Sequence, residues 1–381
     1  MAKRRSKGEG SVFYRPDRDR WVAQVKLEGG RYMTRSAKTQ KGASEKLKRM
    51  QRELEQGTLV TGPKQTVGQF LEHWLEDVHK PPSVRINTYR AYRHYLDHYV
   101  LPAIGHIRLQ QLSPEHVQGL YARKLEEGYA AETVRGIHRM LHKALNDAVK
   151  WNRIPYNVCD KVTQPRQVKY EHHPLTKEQA KQLLEAAKGS SLEAVLTLAV
   201  ASGMRRGELL ALRWHDINFE EGSLQVRRTV SRAGKYGIIE NDPKTEQSKR
   251  KIMLPQFVLD VLKQYRLSQA EMRAKSGTAW QERDIVFSNE RGGFTEATNL
   301  RVRFKKLLHE AGLPDIRFHD LRHSAATILL SMGVPVKVVQ ELLGHTTISM
   351  TMDRYGHVLP SMQREMRDKL DDWFGNDEKD N

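Results

Sequence analysis

The spacing of apolar residues changes at two polar segments, 58–66 and 161–173, and this limits the folds open to the 381-residue chain. Before the first segment the pattern alternates, as in half-buried strands. Between the segments it repeats every three to four residues, as in amphipathic helices. After the second segment both patterns occur. Because this length suits two or three domains, we expect three, at 1–57, 67–160 and 170–381.

The first region predicts a small sheet packed on one helix. Residues Trp21, Ala23, Val25 and Leu27 alternate onto one face of a strand, and the pair Gly29–Gly30 predicts a turn after it. A helix should follow, because apolar residues recur there at helical spacing. The predicted strands are 11–14, 21–27 and 32–36, and the helical stripe is Ala43, Leu47, Met50 and Leu54.

The second region predicts an all-helical domain, and the third predicts a mixed domain that is helical for most of its length. Thr176 and Gln179 have the spacing of a capping box, which marks the first helix of the third domain. The predicted fold class is therefore α+β, mostly helical. In the third domain, strands are expected at 223–228, 251–254 and 284–287, and helices at 191–202, 206–212, 295–311, 319–332, 335–343, 347–355 and 361–374.

The charge of the chain indicates a polyanionic partner. The net charge is +18, and residues 1–57 alone hold 16 Lys and Arg against 7 Asp and Glu. Such an excess destabilises a compact chain by self-repulsion unless a polyanion offsets it, and nucleic acid is the commonest one. A basic protein without such a partner is the alternative.

Composition excludes several kinds of site. The single cysteine, Cys159, rules out a disulfide framework within the chain and a cysteine-rich zinc site, and it fits a reducing cytosol. We expect a cytoplasmic protein without membrane contact, because no secretory signal is present and no apolar run approaches ~20 residues. No phosphate-binding glycine loop occurs, so no ATP-driven motor is indicated. Metal ligation at His319–Asp320 is a weaker alternative.

Two short motifs could carry phosphate chemistry. Of the 16 histidines, only His319 is followed by arginine three residues later, at Arg322, so both can share a helix face. Arginine suits phosphate because its planar fork donates two parallel hydrogen bonds. Upstream, Arg205 lies in a small-residue turn before a new helix, where Glu208 can orient it. An ordinary charged helix start explains either motif taken alone.

Two further residues lie downstream of these motifs. His345 follows Arg322 by 23 residues, and Tyr355 follows His345 by 10. A free tyrosine has a pKa near ~10 and is a weak nucleophile at neutral pH. It becomes useful beside cations and a proton acceptor. A half-buried helix tyrosine is the alternative explanation of Tyr355.

The ordered combination of Arg205, His319-x-x-Arg322, Leu342-Leu343-Gly344-His345 and Tyr355 resembles the tyrosine recombinase family of the phage integrase type, over about residues 175–374. The resemblance implies that Arg205 and Arg322 clamp the scissile phosphate. Tyr355 would form a 3′-phosphotyrosine, His319 would manage its proton, and His345 would hydrogen-bond a phosphate oxygen.

Two further roles follow from the resemblance. Glu208 matches the acidic position that supports the site, and a lysine on a hairpin between the arginines would be the general acid. Lys244 is the best match, while Lys235, Lys249 and Lys251 stay open. The family requires neither cofactor nor metal.

The resemblance also implies an architecture and partners. Residues 8–57 look like an arm-type DNA-binding domain, and 67–160 resemble a helical core-binding domain. The implied assembly is a homotetramer on double-stranded attachment sites, working through a Holliday junction in a bacterial host and associated with its nucleoid. We hypothesise that segment 361–381 docks on a neighbouring protomer.

The sequence leaves open whether the protein comes from a phage or a conjugative element, whether cleavage occurs in cis or in trans, and which accessory DNA-bending and directionality proteins take part. A non-catalytic DNA-binding regulator, a metal-dependent nuclease and a chromosome-dimer resolvase are rival functions.

Overall fold

The computed structural model describes residues 10–27, 30–55, 59, 64–167, 173–242, 248–349, 352 and 367. The chain forms two compact units, Met1–Lys169 and Tyr170–Asn381, and the second begins where the third domain is expected to start. The division into three domains remains a prediction. Lys244 and Tyr355 lie outside the described residues, as does the side chain of Lys235. Of the helices predicted at 347–355 and 361–374, only residues 347–349, 352 and 367 are described.

The first unit opens with an antiparallel three-stranded sheet in the order β1-β2-β3, packed on one helix. Ala23 and Val25 of the central strand are buried against Leu47 and Met50 of the helix. The alternation that predicted the strand therefore follows burial, which is why a slip of one residue would expose this core. The elements are β1 (Ser11–Arg15), β2 (Arg20–Lys26), β3 (Tyr32–Ala37) and α1 (Gln40–Glu55).

The rest of the first unit is helical, as predicted. The fully buried Trp74 anchors this bundle, because its indole Nε1 donates a 2.9 Å hydrogen bond to Asp147 Oδ2 from a distant helix. A buried indole N–H without such an acceptor would be costly. The helices are α2 (Val67–His73), α3 (Ile86–Tyr95), α4 (Leu101–Ile104), α5 (Pro114–Glu126) and α6 (Ala131–Lys150), with π-helical turns at Trp74–Val78 and Leu96–Val100.

The second unit is built around one apolar helix that is buried along most of its length. The predicted capping box begins the unit, since Gln179 N donates to Thr176 Oγ1 and Thr176 N donates to Gln179 Oε1. The helices are α7 (Lys177–Ala187), α8 (Glu193–Ser202), α9 (Arg206–Leu209), α10 (Gln256–Ser276), α11 (Ala297–Glu310), α12 (Asp320–Ser331) and α13 (Val336–Leu343), of which α8 is the central one.

Two small sheets flank these helices in the second unit. One has the order β4-β5-β8, and the other is the hairpin β6-β7. In β8, Arg250 and Ile252 face the core while Lys251 and Met253 are exposed. The strands are β4 (Ile217–Asn218), β5 (Ser223–Val226), β6 (Thr229–Arg232), β7 (Ile238–Asn241) and β8 (Arg250–Met253).

Two expectations for the second unit are wrong in detail. The predicted strand at 284–287 is only an isolated bridge between Arg213 and Ile285. Asp284 has a left-handed φ of 57°, which an extended strand does not adopt, and the chain turns at residues 286–287. The predicted 206–212 helix ends at Leu209, because the chain then turns into that bridge. The sequence also did not predict the β6-β7 hairpin or α10.

Candidate active site

The turn after α8 has a shape that favours glycine. Gly203 caps this helix with a left-handed φ of 58°. A Cβ at this position would lie 2.6 Å from Leu343 Cδ2, which belongs to the end of α13. The missing side chain therefore removes backbone strain and lets the ends of α8 and α13 lie in contact. This approach brings two of the sequence motifs together.

Arg205 follows this turn and precedes α9. Its Nη1 donates to Glu208 Oε1 at 2.8 Å, and its Nη2 donates to Gly344 O at 3.3 Å. Its side chain is 37% exposed, so it is both held by the protein and open to a ligand. The charge and the direction of this guanidinium suit an anion at the surface of the site.

Glu208 is the buried carboxylate that orients Arg205, as the sequence predicted it could. It is 3% exposed, and its Oε2 accepts from Arg205 N and from Arg250 Nη2, both at 3.0 Å. Burial alone raises the pKa of this carboxyl, but the charges and hydrogen bonds of Arg250 and Arg205 outweigh burial and lower it. Glu208 is therefore ionised at neutral pH and can hold two cations.

Arg322 is the most deeply placed of the predicted arginines. It lies in α12 at 3% exposure, and its guanidinium donates to Gly203 O at 2.8 Å and to Leu343 O at 2.6 Å. Carbonyl oxygens orient a guanidinium without cancelling its charge. Two parallel bonds of this kind fix the plane of the group, which a lysine in its place could not reproduce.

The turn after α13 carries His345. Gly344 ends the helix with a left-handed φ of 65°, and His345 N then donates to Gln340 O at 3.1 Å. The side chain of Gln340 closes the turn by donating to His345 O at 3.0 Å. His345 is 4% exposed, so the turn holds the imidazole in a defined, largely buried position.

His319 lies at the N-terminal end of α12, one turn before Arg322. It is exposed, and its ring packs edge-on against His323 at 5.3 Å between centroids. The end of this helix is fixed by Asp320, which accepts hydrogen bonds from the backbone N, Nε and Nη2 of Arg317. An exposed imidazole at this end can donate or accept a proton.

The structure brings Arg205, Glu208, Arg322 and the turn of His345 together, and His319 lies one helical turn before Arg322. Arg322 and Arg205 contact consecutive carbonyl oxygens, those of Leu343 and Gly344, and His345 is the next residue. Segments that are 139 residues apart in the chain thus meet on one turn. The site presents two oriented cations and two imidazoles, which is an arrangement able to bind a phosphodiester and move a proton.

The sequence analysis missed Arg250, which is the second cation on Glu208. The signal was present, because a charged residue stands at a core-facing position of an otherwise alternating strand. Within the described residues, no cluster of His, Cys, Asp and Glu has the arrangement of a metal site. In the same part of the chain, no helix combines the length and the apolar character needed to cross a membrane.

Comparison with known proteins agrees with this site. Residues 173–362 match the phage integrase family profile, and residues 66–125 match the N-terminal SAM-like domain of phage integrases. A tyrosine recombinase, XerC-like, from Caldanaerobacter subterraneus subsp. tengcongensis is 32% identical over 357 residues, covering 88% of this chain and 90% of the relative. The chain belongs to the tyrosine recombinase family. It is therefore an enzyme of the class that cleaves and rejoins DNA.

A further relative supports this membership, and solved structures share the fold. An integrase from Streptomyces ambofaciens is 31% identical, covering 93% of this chain and 94% of that protein. The fold is similar to the Tn1549 transposon integrase in complex with a circular intermediate DNA, with TM-score 0.67, 20% identity, and coverage of 80% of this recombinase and 99% of that chain. A lambda integrase tetramer bound to a Holliday junction gives TM-score 0.56 at 17% identity, with coverage of 92% and 96%.

Proposed function

We propose that this recombinase is the integrase of a bacterial mobile element, which cuts and rejoins double-stranded attachment sites through a 3′-phosphotyrosyl bond to Tyr355. The observation that carries the proposal is the convergence of Arg205 and Arg322 on the carbonyl oxygens of Leu343 and Gly344. Both guanidiniums are thereby oriented toward one site before DNA binds, so little reorganisation is needed when charge develops on the phosphate.

The cleavage step forms one bond and breaks one. The Tyr355 oxygen attacks the scissile phosphorus, and the bond from phosphorus to the 5′ oxygen breaks. Arg205 and Arg322 stabilise the charge on the non-bridging oxygens, and removal of one such donor commonly costs ~100- to 1000-fold in rate. His319 accepts the tyrosine proton, and His345 hydrogen-bonds a phosphate oxygen. Because the phosphodiester is exchanged for a phosphotyrosine, a second 5′-hydroxyl can reverse the step without ATP or metal.

Lys244 is the general acid in this proposal and gives its proton to the leaving 5′ oxygen. It belongs to the segment between β7 and β8, which ends near Ser248. Support comes from Lys251, a competing candidate, which faces away from buried Arg250 and forms an ion pair with Glu221. Lys235 and Lys249 remain competing candidates. To identify the general acid, each lysine is substituted in turn, and cleavage is measured on DNA whose 5′ leaving group needs no proton; this substrate should restore the rate only of the variant that lacks the acid.

The assembly follows from the same proposal. The enzyme acts as a homotetramer on two attachment sites and exchanges strands in pairs through a Holliday junction, the kind of DNA to which the structurally similar lambda integrase tetramer is bound. The basic residues Arg20 and Lys26 are exposed on the N-terminal sheet, which supports a second DNA contact at arm-type sites. The chain then acts in the bacterial cytoplasm, on nucleoid DNA, with accessory DNA-bending and directionality proteins as further partners.

A nicked suicide duplex tests the proposal. Its sequence is taken from the flank of the gene, and the cleaved strand diffuses away, so the covalent adduct accumulates. Wild type in EDTA should give a denaturant-stable adduct, and Tyr355→Phe should give none. Tyr236→Phe, at an exposed tyrosine of the same unit, is the matched control and should react like wild type. A non-catalytic regulator would give no adduct on DNA that it binds. A metal-dependent nuclease would be inactive in EDTA, because the chelator removes its metal.

A further inference from the structure

Arg250 is a buried cation for which the cleavage step has no direct use. It is 8% exposed in β8, at the C-terminal side of the segment that contains Lys244. A buried arginine is costly to desolvate unless its partners compensate its charge. Its partners therefore indicate what it does.

The guanidinium of Arg250 joins three parts of the catalytic unit. Its Nη2 donates to Glu208 Oε2 at 3.0 Å, in α9. Its Nε donates to Leu342 O at 2.5 Å, in the last turn of α13, and its Nη1 donates to Ser248 O at 3.2 Å, just before its own strand. One side chain thus connects the segment before β8 with the carboxylate behind Arg205 and with the helix that leads into His345.

Glu208 is shared between two arginines of different exposure. Its Oε1 accepts from Arg205 Nη1, while its Oε2 accepts from Arg250 Nη2. The charged groups that face Glu208 are Arg205 beside its own helix and Arg250 from β8, and no third ion pair to Glu208 occurs among the described residues. The end of α13 contributes carbonyl oxygens to both arginines, from Gly344 and Leu342.

We propose that Arg250 is a positioning residue for the recombination reaction: it keeps Glu208 charged and oriented, so that Glu208 can direct Arg205 at the scissile phosphate. Its bond to Leu342 O also fixes the helix end that carries His345. Arg250 does not touch the phosphate. The inference rests on the proposed function, because it assigns Arg205 to the phosphate clamp.

The proposal makes a prediction that a purely structural role does not make. Without Arg250, Glu208 remains buried with one cation instead of two, so its pKa rises. A protonated Glu208 cannot hold Arg205 by charge. Loss of Arg205 orientation should therefore depend on pH, increasing about tenfold for each pH unit below the raised pKa.

The first experiment measures the rate of adduct formation on the suicide duplex from pH 6 to pH 9. For Arg250→Gln, the ratio of wild-type to variant rate should be greater than one, and any change with pH should be an increase toward pH 6. Dividing by the wild-type rate removes the titration of Tyr355 and of the histidines. Arg250→Lys keeps a positive charge beside Glu208, so its ratio should be smaller and should not change with pH. Arg228→Gln breaks ion pairs to Asp216 and Glu240 instead, and it should also show no pH trend.

A wild-type rate for Arg250→Gln across this range, or a ratio that increases toward pH 9, would overturn the proposal. If that variant does not fold, Arg250→Met takes its place, because an apolar side chain of similar volume is better tolerated at a buried position, and the same outcomes decide. If wild type itself forms no adduct on DNA that it binds, the proposed function fails, and a stability measurement still tests the pairing of Arg250 with Glu208.

The second experiment measures thermal unfolding of the full chain from pH 4 to pH 8. In wild type the lowered pKa of Glu208 contributes stability that is complete above the unfolded-state pKa. In Arg250→Gln the pKa of Glu208 is higher than in wild type, so charging Glu208 adds less stability to that variant. The difference in Tm should therefore widen as pH rises and then level off, opposite in direction to the difference in rate. Adding Glu208→Gln should remove this pH dependence, and a difference that persists unchanged would refute the pairing.

Discussion

Substitution of Gly203 by alanine tests the contact on which the site is built. Gly203 has a φ of 58°, and a Cβ there would lie 2.6 Å from Leu343 Cδ2 and 3.6 Å from Ala325 Cβ. Left-handed backbone costs a residue with a Cβ roughly 1–2 kcal/mol. Overpacking of a buried contact costs about 1–3 kcal/mol more, even when a leucine side chain can shift to relieve it.

Gly189 provides the matched control for this substitution. It has a similar left-handed φ of 67°, but a Cβ there would meet nothing within 4 Å. Gly189→Ala should therefore lose only the backbone term of roughly 1–2 kcal/mol. The difference between the two variants, about 1–3 kcal/mol, isolates the contact between the ends of α8 and α13.

Thermal unfolding and cleavage assays measure the two consequences. For a unit of 150–250 residues, 1 kcal/mol shifts Tm by roughly 2–4 °C. The Tm of Gly203→Ala should therefore be at least about 2 °C lower than the Tm of Gly189→Ala. It should also cleave more slowly, because Arg322 donates to both Gly203 O and Leu343 O. Equal Tm values and equal cleavage rates for the two alanine variants would refute the contact.

Three further predictions concern single side chains. Arg322→Lys should lower the cleavage rate ~100- to 1000-fold, because lysine cannot bind both carbonyl oxygens and a phosphate at once. A mobility-shift assay should show that the variant still binds DNA, and a parallel loss of DNA binding would contradict this role of Arg322. Ser324→Ala should lower the free energy of unfolding by about 1–3 kcal/mol, because it leaves the buried N–H of Leu175 without its acceptor. An unchanged midpoint in denaturant titration would argue against the hydrogen bond between Leu175 and Ser324. The hydrogen bond from Tyr89 is the main cause that lowers the pKa of Glu76 to about 2. The Glu76 carboxylate therefore stabilises the fold above the usual pKa of about 4.5, and this stabilisation is lost as pH falls toward 2. Glu76→Gln should make the free energy of unfolding depend less on pH between these values, and an unchanged pH dependence would contradict the shift.

The fold could be read from the sequence where one pattern dominated. Strand alternation at Trp21, Ala23 and Val25 predicted β2 because that face is buried against α1. The 284–287 segment has an apolar run as well, yet Asp284 is left-handed and the chain turns at residues 286–287, so no strand forms there. Asp284 Oδ2 accepts a hydrogen bond from the backbone N of His215, in a distant part of the chain, and alternation does not reveal such a contact.

The site was predictable for residues that belong to ordered motifs, and less so for residues that act behind them. Arg205, Arg322 and His345 could be identified because their order and spacing resemble one family. Arg250 could be noticed as a charged residue at a core-facing strand position, but its role could not be predicted, because that role depends on Glu208 and Leu342, which are 42 and 92 residues away. Only packing shows that one carboxylate serves two arginines.

Identification of the residue bonded to DNA tests the central claim most directly. Wild type is trapped on the suicide duplex, the DNA is trimmed with nuclease, and tryptic peptides are weighed and sequenced by mass spectrometry. Trypsin cuts after Arg354 and after Arg364, so the reactive peptide should begin at Tyr355. The account predicts a nucleotide-bearing phosphate on Tyr355. A phosphate on any other residue, or no modified peptide from DNA that the protein binds, would contradict it.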